Sequence, residues 1–280
     1  DYHSCAYSSG GGPAHCWGGN WSGQLGDGTY DDRATPAPVS GLGDVNAMAA
    51  GGGHSCAIDS SGALWCWGGN HRGQLGDSSF TERLLPVPVP LGDASATRIA
   101  AGSAHTCAVD AAMDLYCWGG NSSGELGDGT FADRAAPAAV GLTDDIVDVA
   151  TGSCHSCALS DRGQVSCWGC NWVGQLGDGS WARSSTPVIT IEERSGEHQV
   201  DAIVARGYTT CALHRDGLLQ CWGRNSSGQL GIGSTLAATL SWTSIIRLCS
   251  QKPSPPRPIS NVSSVMVEAF LGVCQEIPSA

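Results

Sequence analysis

Cysteine is the residue type in this 280-residue sequence whose number and spacing point most directly to chemistry. Fourteen cysteines are present, and free thiols in that number would be hazardous in an ordinary cytosol, so metal ions or disulfides are expected to engage them. Ten of them form five pairs that are ten or eleven positions apart: Cys5 with Cys16, Cys56 with Cys66, Cys107 with Cys117, Cys157 with Cys167 and Cys211 with Cys221. A zinc site needs four converging ligands, typically from Cys-x2-Cys knuckles, so this spacing favours disulfides.

The positions of the pairs fit a hairpin in which the two cysteines lie opposite each other. In the second pair, a turn centred on Ser61 places Cys56 opposite Cys66 and Ile58 opposite Leu64. Opposite residues at a non-hydrogen-bonded position of an antiparallel pair are about 4.5 Å apart at Cα, which is within disulfide range. The spacing therefore predicts one disulfide across each hairpin.

The fourth repeat carries two additional cysteines. Cys154 and Cys170 lie three residues outside Cys157 and Cys167 in the same register, which predicts a second bridge at a hydrogen-bonded position on the other face of the sheet. The alternative for these four residues is a zinc site, because Cys-x2-Cys occurs twice. The two cysteines that remain are expected to join: Cys249 with Cys274. Seven bridges would rigidify the chain and place it outside the cytosol, as an extracellular or cell-surface protein.

Histidine and aspartate recur with the same period as the cysteines. One histidine lies two positions before the first cysteine in four copies: His3, His54, His105 and His155. Each belongs to a different repeat, so we expect it to be hydrogen-bonded within its own repeat. One aspartate follows a Leu-Gly in four copies: Asp27, Asp77, Asp128 and Asp178. One carboxylate per loop is too few for calcium and favours turn capping. No nucleophile elbow, phosphate-binding loop or zinc-protease motif occurs, so the sequence predicts neither an enzyme nor a cofactor.

The overall charge restricts the classes of partner. Fourteen basic and twenty-six acidic residues give a net charge of −12, which argues against nucleic acid and anionic membranes as partners. No apolar run approaches the roughly 18 residues of a membrane span, so membrane insertion is not expected. No signal peptide is present at Asp1, and we expect a mature form or a fragment.

The elements that position these residues repeat about every 51 residues. The second copy, from Ala49 to Val89, shows a short apolar segment, two alternating segments around a tight turn, Gly-rich turns and an Arg-x-x-Pro stretch. The proline confines the last segment to an edge strand. Five such copies predict an all-β array of short strands, with Ala and Gly crowded around a central shaft.

The repeated phrase is a Cys-Ala-Leu-like strand, a turn, Trp-Gly-x-Asn and Gly-Gln-Leu-Gly. It resembles the regulator of chromosome condensation repeat over residues 1–235, as five repeats. The resemblance implies a β-propeller of four-stranded blades, usually seven to the ring. This chain departs from that pattern in having five hairpins and a cysteine pair in each repeat, which is a feature of extracytoplasmic members and weakens a nuclear exchange role.

Residues 236–280 form a divergent tail. Its apolar stretch from Val262 to Phe270 resembles the first strand of each unit, and the chain opens at the second strand of its first unit. We therefore expect this stretch to supply the missing strand and close the array. The alternatives are a piece of a longer ring and an open array that needs neighbouring chains.

Aromatic residues and sequons mark the loops. The tryptophan after each second cysteine is regular enough to indicate packing within or between blades: Trp17, Trp67, Trp118, Trp168 and Trp222. Other loop aromatics predict an exposed arc on one rim: Trp21, Trp172, Tyr30, Phe80, Phe131 and Trp181. Four Asn-x-Ser sequons predict glycans if the source is eukaryotic and the protein is secreted: Asn20, Asn121, Asn225 and Asn261. The alternative is that asparagine and serine belong to the turn chemistry of the repeat.

These features predict a non-catalytic, secreted β-propeller that acts as an extracellular structural or interaction module. Its partners would be proteins, glycans, further copies of itself or a larger extracellular complex. The alternative is a proteinaceous inhibitor of a secreted hydrolase that inserts rim aromatics into an enzyme cleft. A bacterial β-lactamase inhibitor is similar in being a propeller of this repeat type.

Overall fold

The computed structural model describes residues 2–8, 11–92, 95–193, 196–237 and 245–247. These residues form five antiparallel sheets, one for each repeat, which are called blades one to five. Blade one has three strands: β1 (His3–Ala6), β2 (His15–Gly18) and β3 (Arg33–Pro38). Within the described ranges, the one helical element is a 3-10 turn at Gly196–His198, and no helix there is long and apolar enough to cross a bilayer.

The other four blades have four strands each, as predicted. Blade two contains β4 (Val45–Ala50), β5 (His54–Asp59), β6 (Leu64–Gly68) and β7 (Arg83–Val89). Blade three contains β8 (Ala96–Ala101), β9 (His105–Asp110), β10 (Leu115–Gly119) and β11 (Arg134–Ala139). Blade four contains β12 (Ile146–Thr151), β13 (His155–Ser160), β14 (Val165–Gly169) and β15 (Ser184–Ile191). Blade five contains β16 (Val200–Arg206), β17 (Thr209–His214), β18 (Leu218–Gly223) and β19 (Ile245–Arg247).

The cysteines pair in the predicted register. Cys56 lies opposite Cys66 and Ile58 lies opposite Leu64. The five within-hairpin disulfides each join Cα atoms 4.1 Å apart: Cys5–Cys16, Cys56–Cys66, Cys107–Cys117, Cys157–Cys167 and Cys211–Cys221. Among the described residues no group of three or more potential metal ligands converges.

Blade four contains the second bridge. Cys154 and Cys170 form a disulfide with Cα atoms 5.5 Å apart, and the Cys170 N–H donates to the Cys154 carbonyl at 2.8 Å. This is the separation of a hydrogen-bonded antiparallel pair. The four cysteines of this blade are therefore two disulfides, and the zinc alternative is not what the structure shows. The pairing of Cys249 with Cys274 and the strand from Val262 to Phe270 lie outside the described residues.

Consecutive blades are joined by a hydrogen-bonded contact in which one backbone carbonyl accepts two side chains. At the interface of blades two and three, the Gln74 carbonyl accepts the indole N–H of Trp118 at 3.0 Å and the hydroxyl of Thr106 at 2.8 Å. The Thr106 hydroxyl has one proton, so the His54 Nε2–H must donate to its oxygen, at 2.9 Å. The tryptophan is fully buried in the core between the two blades.

The same contact recurs at the other three interfaces. The carbonyls of Gln24, Glu125 and Gln175 accept from the hydroxyls of Ser55, Ser156 and Thr210. They also accept from the indoles of Trp67, Trp168 and Trp222. His3, His105 and His155 contact the same hydroxyls at 2.7, 3.0 and 2.8 Å. The histidines were expected to bond within their own repeats, and this was wrong: each bonds the next blade.

The glycine that follows each Gln-Leu is required by this contact. Gly76 has a φ of +73°, and a Cβ there would lie 2.6 Å from the indole nitrogen of Trp118. Any side chain would therefore force the two blades apart.

Candidate interaction surface on the loop face

The four long loops lie at the same end of their blades. They are residues 19–32, 69–82, 120–133 and 170–183, each between the last two strands of a blade. The turns between the first two strands lie beside them, since the Gly69 N–H donates to the Gly53 carbonyl at 2.8 Å. We call this end the loop face. The opposite end carries the tight turns 60–63, 111–114, 161–164 and 215–217 and is called the hairpin face.

A buried asparagine organises each long loop. Asn70 donates through Nδ2 to the carbonyls of Ser79 at 3.1 Å and Thr81 at 2.9 Å. Its Oδ1 accepts the Leu75 N–H at 3.0 Å. Phe80 lies between the two bonded carbonyls in the chain, so the backbone on both sides of it is fixed while its side chain is 57% exposed. Asn20 and Asn121 hold the same pair of carbonyls around Tyr30 and Phe131.

The predicted turn-capping role of the loop aspartates is confirmed by their hydrogen bonds. Asp77 accepts the N–H and hydroxyl of Ser79 at 3.0 and 2.7 Å, and it accepts Arg83 Nε at 2.8 Å. Burial of the carboxylate raises its pKa, but the bonds from Ser79 and Arg83 outweigh burial, so the pKa of Asp77 lies below its ordinary value. The pKa values of Asp27 and Asp128 are lowered for the same reasons.

All six predicted aromatic candidates lie on the loop face and are between 46% and 57% exposed: Trp21, Tyr30, Phe80, Phe131, Trp172 and Trp181. Direct contacts join some of them to a neighbouring loop. The Arg183 guanidinium stacks 4.3 Å above the ring of Phe131, and the Tyr30 hydroxyl donates to the Glu82 carboxylate. The structure thus brings the candidates to one face.

Two aromatic residues that sequence reasoning missed extend this face. Tyr2 lies edge-on to Trp21 with ring centroids 5.1 Å apart, and Tyr208 lies against Trp172 at 5.8 Å. Both tyrosines precede the first cysteine of their repeat by three positions. That shared position was a signal that could have found them.

The packing tryptophans are separate from this surface. Trp67, Trp118, Trp168 and Trp222 are fully buried between blades, which confirms their predicted packing role. Trp17 of blade one is partly exposed. Among the described residues no blade precedes it to cover its ring.

The side chains of three sequon asparagines are buried and hydrogen-bonded within their loops. Asn20, Asn121 and Asn225 are fully buried, and their Nδ2 atoms, which would carry the sugar, donate to backbone carbonyls. Asn70 and Asn171 make the same bonds without a serine two positions later. These bonds support the alternative, that the asparagines belong to the turn chemistry of the repeat, and glycosylation at the three sites stays a prediction. Asn261 lies outside the described residues.

Known proteins share both the sequence and the geometry. Two models of the Regulator of chromosome condensation (RCC1) repeat match, one at residues 12–58, 61–109 and 114–159, and the other at 45–74, 96–125, 146–175 and 200–229. The Arabidopsis thaliana ultraviolet-B receptor UVR8 is 32% identical over 84% of this chain. The chain spans 54% of that receptor, or about half its length.

Solved structures share the fold. Human WBSCR16 superposes with a TM-score of 0.79 at 24% identity, over 90% of this chain and 66% of its own. Yeast RCC1 (Prp20), solved bound to Kap60, superposes with a TM-score of 0.73 at 23% identity, over 87% of this chain and 59% of its own. On the repeat matches and the identity shared with the ultraviolet-B receptor, this chain belongs to the RCC1 repeat family and forms an array of β-propeller blades.

Proposed function

We propose that the protein is a non-catalytic, secreted interaction module that binds a partner through the aromatic side chains of the loop face. One observation carries the proposal. Among the described residues, every aromatic side chain that is at least 46% exposed lies on this one face: Tyr2, Trp21, Tyr30, Phe80, Phe131, Trp172 and Trp181. Aromatic side chains clustered on an exposed surface are the residues that most often dominate the energy of a protein interface.

The loops that present these side chains are fixed before any partner arrives. The buried asparagine holds the backbone on both sides of Phe80, and the Asp77–Arg83 ion pair at 2.8 Å closes the base of the same loop. A rigid loop loses little conformational entropy on binding, so more of the contact energy appears as affinity. The asparagine and aspartate therefore support binding without touching the partner.

Several observations support a non-catalytic role. The histidines are buried, and burial lowers the pKa of His54 to about 3 and that of His105 to about 4, so they are neutral and occupied with hydroxyl groups. A cavity of about 250 Å³ beside Met113, Tyr116 and Asp144 is smaller than the roughly 300–1,000 Å³ of typical ligand sites. The relatives named above are a receptor and a Kap60-bound protein.

The disulfides support the proposed location. Six bridges among the described residues fit an oxidising environment, because cytosolic thiols are kept reduced. We infer from them that the protein acts outside the cytosol, at the cell surface or beyond it.

A capture experiment tests the proposal. Wild-type protein, a loop-face variant (Phe80→Ser, Phe131→Ser, Trp181→Ser) and a control variant (Met113→Ser, Ile189→Ser) are immobilised and exposed to the culture fluid and cell-envelope fractions of the producing organism. The control removes exposed apolar side chains that lie off the loop face. We expect a partner that wild type and control retain and that the loop-face variant binds about 100-fold more weakly when purified. Equal capture by all three proteins would overturn the proposal.

The second candidate function is inhibition of a secreted hydrolase. It is favoured by the exposed aromatic side chains on hydrogen-bonded loops, which an enzyme cleft could accept. It predicts that the captured partner is a hydrolase whose activity falls when wild-type protein is added and recovers with the loop-face variant. A glycan array probed with the same three proteins identifies a glycan partner, and native mass measurement identifies self-assembly.

A further inference from the structure

The Cys154–Cys170 bridge differs from the other five in its place and its surroundings. It joins the residue before β13 to the residue after β14, at the loop face, whereas the others lie within the hairpins. Cys154 is partly exposed, as is Cys5 in blade one, while both cysteines of the bridges in blades two and three are fully buried. Thiol–disulfide exchange requires access of a thiolate to one sulfur, so this bridge is open to attack where those buried bridges are closed.

The bridge is connected to the loop that presents Trp172. The Gln175 Nε2 donates to the sulfur of Cys170 at 2.9 Å, and the Gln175 Oε1 accepts the Val173 N–H at 3.0 Å. The sulfur therefore holds the glutamine that in turn holds the backbone beside Trp172. In blade one, which has no such sulfur, the equivalent Gln24 still accepts the Ser22 N–H at 2.9 Å, but its buried Nε2 has no hydrogen-bond partner among the described residues. Gln175 is therefore held at both ends of its amide, whereas Gln24 is held at one.

The fold of the blade does not depend on this bridge. Blade three has Ala104 and Gly120 at the two equivalent positions, and the Gly120 N–H donates to the Ala104 carbonyl at 2.7 Å, as Cys170 donates to Cys154 at 2.8 Å. The backbone arrangement thus forms with or without the sulfur atoms. Loss of the bridge is expected to loosen the loop while the sheet persists.

We propose that Cys154–Cys170 is a reducible clamp that sets the order of the Trp172 end of the loop face. Two thiols of a dithiol reductant are oxidised to a disulfide, and two electrons and two protons pass to the sulfurs of Cys154 and Cys170 as their S–S bond breaks. The Cys170 thiol is then no longer tethered to Cys154, and its sulfur is free to rotate away from the Nε2 of Gln175. The consequence for binding rests on the proposed function, whereas the clamp itself can be tested without any partner.

The test combines thiol labelling with hydrogen exchange on the whole 280-residue protein, titrated with dithiothreitol. We expect Cys154 and Cys170 to be alkylated at lower reductant concentrations than Cys56, Cys66, Cys107 and Cys117. The Val173 amide should then exchange about fivefold to tenfold faster, because one hydrogen-bonded link is lost. The amide of Ser123, its equivalent in blade three, is the internal control.

A double variant keeps the test independent of reductant. Cys154→Ala with Cys170→Gly gives blade four the residues of blade three, so it should fold, and its Val173 amide should exchange quickly with or without dithiothreitol. The proposal would be overturned if the bridges of blades two and three are reduced at the same dithiothreitol concentration as the Cys154–Cys170 bridge. Unchanged exchange at Val173 in the double variant would overturn it as well.

Discussion

Two aromatic positions recur thirteen residues apart in the repeats and have opposite surroundings in the structure. Trp118 is fully buried between blades two and three and donates to the Gln74 carbonyl, whereas Phe131 is 46% exposed on the loop face. The two positions are similarly regular in the sequence, so regularity shows equivalence between repeats but does not show burial. The difference assigns the first position to stability and the second to contact with a partner.

The largest expected effect on stability comes from removing Trp118, the buried one of these two aromatic side chains. Trp118→Ala should lower the free energy of unfolding by about 3–5 kcal/mol, because it empties the core between two blades and removes the indole donor to the Gln74 carbonyl. Chemical denaturation followed by circular dichroism measures the loss. Phe131→Ala is the matched control and should cost less than about 1 kcal/mol. Equal losses would erase the distinction between the two positions.

Acid should weaken the same interfaces through their histidines. Burial holds the pKa of His105 at about 4, below the 6.5 of the unfolded chain, so the neutral form is favoured by folding. A lowered histidine pKa means that stability is complete above about pH 6.5 and is lost as the pH falls toward 4. The Nδ1 atoms of His3, His54 and His155 have no acceptor among the described residues, so protonation there would bury an unpaired N–H.

The measurement compares wild type with His105→Thr, which introduces the residue that blade five has at the equivalent position, Thr209. Between pH 7 and pH 4.5, wild type should lose about 2–3 kcal/mol more stability than the variant. The loop aspartates cannot explain that difference, because their lowered pKa values act only below about pH 4. Parallel pH profiles for the two proteins would contradict the assignment of this loss to His105.

Substitution of two glycines, Gly76 and Gly41, distinguishes the cost of backbone strain from the cost of disturbing the contact between blades. Gly76 and Gly41 both have positive φ values, +73° and +75°, but only at Gly76 would a Cβ meet the indole of the next blade. Gly41→Ala should cost about 1 kcal/mol from strain alone, and Gly76→Ala should cost about 1–3 kcal/mol more. Thermal unfolding of both variants checks the order. A smaller loss for Gly76→Ala would show that the two blades pack differently.

The smallest effect on stability is expected at a single loop-face aromatic. Phe80 is 57% exposed, so Phe80→Ser should change the unfolding free energy by no more than about 0.5 kcal/mol. The same change should weaken capture of the partner. If the unfolding free energy of the variant is lower than that of wild type by several kcal/mol, Phe80 belongs with the packing residues instead.

The strands and disulfides were predictable because they depend on short-range spacing. The interval between Cys56 and Cys66 sets the hairpin register, and Pro86 confines its strand to the edge of the blade. Contacts between blades join residues about 50 positions apart, so the hydroxyl partners of His54 and His105 could not be identified from the repeat alone. Their regular spacing did indicate a shared structural role.

The loop asparagines show how a motif can mislead. Asn121 begins a sequon, but Asn70 does not, and both make the same buried bonds. An asparagine present in every copy, with or without a serine after it, indicates turn structure rather than glycosylation. The backbone around Phe80 and Phe131 is fixed by the hydrogen bonds of Asn70 and Asn121. These bonds depend on how the loop folds, so the repeat pattern alone did not predict them.

The unfolding free energy of the loop-face variant (Phe80→Ser, Phe131→Ser, Trp181→Ser) tests most directly whether the exposed aromatics are kept for contact. With three aromatic side chains removed, this variant should remain within about 1 kcal/mol of wild type, while the single change Trp118→Ala loses about 3–5 kcal/mol. A loss in the triple variant as large as that of Trp118→Ala would show that the loop-face aromatics support the fold, and the proposed binding surface would have no basis.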